Sequence, residues 1–137
     1  MWWVYALLSA LFAAFTAILA KIGIKGINSD LATAIRTVFI LLIAWGIVFS
    51  RKEINGINSL TKNNLLFLGL SGIATGLSWI FYFKALQLGK VSQVAPVDKL
   101  SVAIAIILSV VLLHEVITWK IILGTVLIIA GTVVIIL

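Results

Sequence analysis

The chain has 137 residues, 64% of them hydrophobic and only 10% charged, with a net charge of +6 and a pI near 10.0. A soluble domain carries about 25% charged residues, so this surface could not keep a monomer in water. Zero cysteines exclude disulfides, thiolate metal sites and a cysteine nucleophile. The ten Lys and Arg are scattered singly, leaving no basic face for nucleic acid.

The apolar residues come in long uncharged runs rather than at strand or amphipathic periods. Runs of about 18 or more read as membrane-spanning helices, because roughly 20 residues at 1.5 Å each cross the hydrocarbon core. The first, about 2–22, starts in "MWWVYALLSALFAAF", which lacks the basic start of a signal peptide and is expected to be a retained helix. "KIGIKGINSD" closes it through Gly23 and Gly26, and Asn28, Ser29 or Asp30 can cap a second span over 31–50. After the polar loop "RKEINGINSLTKN" come a third span at 64–88, a fourth at 92–113 and a fifth at 118–137. "GINS" occurs twice, each time before a span, and reads as turn chemistry. The fold class is an all-α integral membrane protein of five helices in one domain, 1–137.

An odd number of spans puts the termini on opposite faces, and loop charge should orient them. One side holds Arg51, Lys52, Lys62 and Lys120; the other holds Lys21, Lys25, Lys84 and Lys90, with Arg36 and Lys99 deeper. That balance leaves two readings: loop charge predicts poorly here, or the chain inserts both ways up and forms antiparallel pairs.

Polar groups inside the spans are more informative. On the third span Ser71, Thr75, Ser78 and Tyr82 share one narrow face. Ser9, Ala13, Thr16 and Ala20 repeat the spacing on the first, and Asp98, Ser101, Ala105 and Ser109 on the fourth; Thr33, Thr37 and Ala44 follow on the second, beside Arg36. Such faces either line a cavity or pack helices together. Gly72 and Gly76 form a G-x-x-x-G step suited to close helix approach. Trp79, deep in its span, is a candidate ligand wall or a bundle filler, and Trp2, Trp3, Tyr5 and Trp119 sit at span ends as interface anchors.

Asp98 and Lys99 stand in an apolar run, roughly 9 Å into the fourth helix. Adjacent helical residues point about 100° apart, so Asp98 is expected to seek another cation, Arg36 or Lys84, while Lys99 snorkels. Pro96 either loosens the helix around Ser92, as in discontinuous transporter helices, or sits at a first helical position with Asp98 in the first turn. Asp98 is the candidate coupling residue, and Arg36, Ser71, Thr75, Ser78, Trp79, Tyr82, Asp98 and Lys99 are the candidate substrate-binding set. His114 and Glu115 read as a solvated interface pair. No catalytic constellation, metal cluster or phosphate loop is present, so neither enzyme activity nor a metal or cofactor is expected.

At these residues the chain resembles a known family. "AKIGIKGINSDLATAIRT", "GIATGLSWIFYFKALQLGKVSQVAPVDKLSVAIAIILSVVLLHE" and "ILGTVLIIAGTVVIIL" are similar to the EamA domain of the drug/metabolite transporter superfamily. Most such proteins carry two five-helix halves in inverted orientation, and this chain resembles a single half of the short bacterial and archaeal type. The last helix also resembles the dimerising helix of small multidrug resistance transporters, which implies packing roles for Gly124 and Gly131. The first span lacks the acid those relatives use for proton coupling, so that mechanism is not carried over.

The resemblance implies a secondary transporter, an exporter of small metabolites, working by alternating access in the inner membrane of a bacterium or archaeon as an antiparallel homodimer. Three deep cations against one acid favour an anionic or zwitterionic substrate. The rival readings are a non-transporting interaction subunit, or a half-transporter or flippase subunit that needs a separate partner.

Overall fold

The computed structural model describes residues 1–137. Its elements are α1 (Trp2–Gly23), α2 (Ser29–Ser50), a short 3-10 helix (Glu53–Ser59), α3 (Lys62–Leu88), α4 (Val91–Asp98), α5 (Leu100–Leu113) and α6 (Trp119–Ile136). No strand is present. Five helical stretches are long and apolar enough to cross a membrane, α4 and α5 counting together as Val91–Leu113.

Local chemistry sets the ends. Gly26 at φ 77° supplies the left-handed turn after α1. The Asn28 side-chain oxygen accepts from the Asp30 and Leu31 amides at 2.7 and 3.4 Å, so α2 begins at Ser29, earlier than the sequence suggests. The Thr61 hydroxyl accepts from the Asn64 amide at 3.2 Å and starts α3 at Lys62. Thr118 accepts from the Ile121 amide at the start of α6. The loop expected to be merely polar contains the 3-10 helix, entered through Lys52 at φ 56°.

The chain divides into two compact units, 1–17 with 88–137, and 18–87. In the first, α6 packs on both α4 and α5, with Ala17, Ala103 and Thr132 buried. In the second, Ile24, Ser29, Thr33, Phe83 and Leu86 are buried. There the Lys21 ammonium donates to the Leu86 carbonyl, and Gln87 Nε2 donates to the Ile27 carbonyl at 2.9 Å. The two bonds tie the last turn of α1 and the connection after it to the end of α3. The lysine also places a cation where carbonyls go unpaired and the helix dipole is negative.

The fourth span is broken, although not where expected. Pro96 is the sixth residue of α4, so the first-position reading is wrong, and the helix runs intact through Ser92. The interruption comes at Lys99 (φ −70°, ψ −9°), whose amide donates to both the Ala95 and Pro96 carbonyls at 3.3 and 3.1 Å.

Candidate substrate site

Arg36 lies seven residues into α2, roughly 10 Å along the helix axis. Trp79 and Phe83 are one turn apart on α3 and offer it two ring faces. The guanidinium carbon sits 4.6 Å from the Trp79 centroid and 4.9 Å from that of Phe83. Phe83 is 2% exposed, and Tyr82 meets its ring edge-on at 6.2 Å. Aromatic faces carry negative potential and hold a desolvated cation well.

They do not saturate it. Neither ring supplies a carbonyl or carboxylate acceptor for the five guanidinium N–H groups. Arg36 makes no hydrogen bond or ion pair within the chain, and its Nη1 is shielded with no acceptor. A charge in a spanning helix costs about 2.5–3.5 kcal/mol on insertion scales, and such charges normally have partners. Arg36 has rings and no counter-ion.

The hydroxyls of α3 continue the same face. Ser71, Thr75, Ser78, Trp79, Tyr82 and Phe83 fall within an arc of about 140° at 100° per residue. Ser71, Thr75 and Ser78 are exposed, and Thr75, which donates to the Ser71 carbonyl at 2.9 Å, is at the midpoint of α3. Other hydroxyls are turned onto their own helices. Thr33 donates to Ser29 O at 2.9 Å, Thr37 to Thr33 O at 2.8 Å and Ser109 to Ile106 O at 2.9 Å. That back-bonding spends their protons and accounts for their tolerance in apolar helices.

Asp98 and Lys99 belong to the other unit. Contrary to expectation they pair with each other, Lys99 Nζ lying 3.4 Å from Asp98 Oδ2 with side chains 57% and 34% exposed. The 100° separation assumes a continuous helix. Here α4 ends at Asp98, and the long lysine folds back across the break. His114 and Glu115 form no ion pair; His114, at φ 56°, instead closes α5, a left-handed role that histidine takes more readily than most side chains.

A Cβ built on Gly72, Gly76, Gly124 or Gly131 meets nothing within 4 Å, so each glycine has open space beside it. Phe83 is the site residue that the candidate set omitted. Its i, i+4 spacing from Trp79 was the available signal, and the approach of the arginine to both rings was not readable from it.

Five apolar spans, one holding a desolvated cation against aromatic rings, define a multi-pass membrane protein. The chain belongs to the EamA-like transporter family, whose match runs over residues 1–137. It is similar to a Sinorhizobium protein named as an uncharacterized transporter in the cobO 3'region, being 49% identical over 114 residues, 83% of this chain and 81% of that protein. No solved structure matches. The chain is thus a membrane transporter of the drug/metabolite type.

Proposed function

We propose that this chain is one half of a secondary transporter that exports small metabolites across the cytoplasmic membrane of a bacterium or archaeon. In this reading two copies, inserted in opposite orientations, form the working unit, and residues 1–137 act as one five-helix domain. The observation that carries it is the exposed hydroxyl ladder Ser71, Thr75 and Ser78 at the middle of α3. Thr75 is satisfied by the Ser71 carbonyl, but lipid would give the Ser71 and Ser78 hydroxyls no partner, so their exposure along the span favours a wet, protein-walled space. The open space at Gly72, Gly76, Gly124 and Gly131 leaves room for a second copy to approach. Support also comes from the Sinorhizobium relative, a protein of comparable length.

In such a pair the α3 face and Arg36 bind substrate, and alternating access exposes that face to one side of the membrane and then the other. Asp98, half-buried where α4 ends, is the proposed coupling group. Two measurements test the reading. Proteoliposomes containing only this chain are expected to move a metabolite down an imposed gradient. Reporters fused after Leu137 are expected to be active on both sides of the membrane. Absence of flux for every solute tried favours a non-transporting interaction subunit, and a one-sided reporter signal removes the antiparallel pair.

A further inference from the structure

We infer that Arg36 is an oxyanion-binding group: a carboxylate or phosphate docks edge-on against its guanidinium while Trp79 and Phe83 hold the plane of the fork. The inference rests on the transport reading for its biological setting, although its chemistry can be measured by binding alone.

Three observations converge on it. First, Arg36 makes no hydrogen bond or ion pair with any group of the chain, and its Nη1 is out of solvent. Second, the guanidinium carbon lies 4.6 and 4.9 Å from the Trp79 and Phe83 centroids and Nη1 is covered, so what remains for a ligand is the edge formed by Nε and Nη2. That edge presents parallel N–H groups matching two oxygens of a carboxylate or phosphate, which a lysine in the same place could not offer. Third, the acids of the same unit, Asp30 and Glu53, make no ion pair, and both lie at or beyond an end of α2. The protein supplies the cation, its orientation and its desolvation, and an oxyanion completes the site.

The α3 hydroxyls suit the same ligand. Ser78, next to Trp79 on α3, is exposed, and its hydroxyl can donate to a further oxygen of a bound anion. A cation stacked on aromatic rings also repels organic cations, so the site selects by charge as well as by geometry. The oxyanion has two possible sources, a soluble metabolite or the phosphate of an anionic lipid, and the same chemistry serves both.

The test uses the full chain. In lipid-free detergent, thermal shift and equilibrium binding are measured with sodium phosphate and sodium benzoate against sodium chloride at matched ionic strength, with benzamide as the uncharged isostere of benzoate. Phosphate or benzoate is expected to bind at least about tenfold more tightly than chloride, with benzamide inert. Arg36→Gln should abolish that difference. Arg36→Lys should keep the charge and lose most of the affinity. Lys120→Gln, at the start of α6, should change nothing.

The lipid arm uses nanodiscs containing phosphatidylglycerol. A lipid retained by the wild type in native mass spectrometry and lost in Arg36→Gln assigns the site to lipid phosphate, and soluble binding in detergent without lipid retention assigns it to a metabolite. If no oxyanion of either kind outcompetes chloride on the wild type, or if binding survives Arg36→Gln, the inference is overturned. The benzoate–benzamide comparison needs no variant, so a variant that fails to fold leaves the test intact. Binding without flux sinks the transport reading alone, whereas flux without any oxyanion binding sinks this inference alone.

Discussion

The hydroxyl of Thr132 on α6 lies 2.9 Å from the Ile128 carbonyl of its own helix and 3.3 Å from the Pro96 carbonyl on α4. Pro96 contributes no N–H to α4, and its carbonyl sits where the helix gives way at Lys99, accepting that amide at 3.1 Å. Thr132, 4% exposed, therefore braces α6 against the point where the fourth span changes from α4 to α5. Thr132→Val keeps the volume and removes the donor. Its expected cost is about 0.5–1.5 kcal/mol, the range for one interhelical hydrogen bond in a membrane protein, read from thermal unfolding in micelles. Faster amide exchange at 99–102 should accompany it.

Lys21 tests the end of α3. Its ammonium donates to the Leu86 carbonyl at the negative end of the helix, where Leu86 is fully buried. Lys21→Met keeps the apolar stem and removes the charge-assisted bond. A loss of about 1–2 kcal/mol is expected, with exchange rising at 86–88 before the rest of α3. Uniform exchange along the helix would remove the local role of the bond.

Trp79→Ala takes one ring from beneath the Arg36 guanidinium and leaves Phe83 in place. The expected result is a rise in KM for an anionic solute of roughly three- to tenfold, corresponding to about 0.7–1.4 kcal/mol, with kcat changed less. Trp79→Phe retains a ring face and should fall between the two. An unchanged KM in Trp79→Ala would separate the ring from substrate binding.

Asp98→Asn separates fold from coupling. The Asp98–Lys99 pair is 3.4 Å long and largely exposed, so its loss should change stability by less than about 0.5 kcal/mol. If Asp98 couples transport, the variant keeps solute counterflow and loses accumulation driven by a proton gradient. Equal gradient-driven accumulation in both proteins would return Asp98 to a surface ion pair.

Gly124→Leu and Gly131→Leu add bulk where the chain itself has space. Monomer stability should hold, or rise slightly with the better helix propensity of leucine. Crosslinked dimer in vesicles should fall for each variant if α6 forms the contact between copies. An unchanged dimer yield would place that contact on another helix.

The sequence by itself determined the number, order and approximate limits of the five spans, because a bilayer demands about 20 apolar residues and the polar turns between runs are hard to misread. It determined the shared face of Ser71, Thr75, Ser78 and Tyr82, which follows from helical periodicity alone. It also offered Arg36 as a partner for Asp98. Tertiary structure decided what lies against the guanidinium. Two aromatic rings on α3 lie against it, and no acid does, because which helices become neighbours is set by packing and not by spacing along one strand of sequence. The break at Lys99 was decided in the same way. Sequence placed a proline in the fourth span, but the disruption falls three residues later, where the Pro96 carbonyl accepts from both Lys99 and Thr132. At that turn the long, flexible Lys99 side chain reaches back to within 3.4 Å of Asp98, a contact that only the side-chain conformation decides.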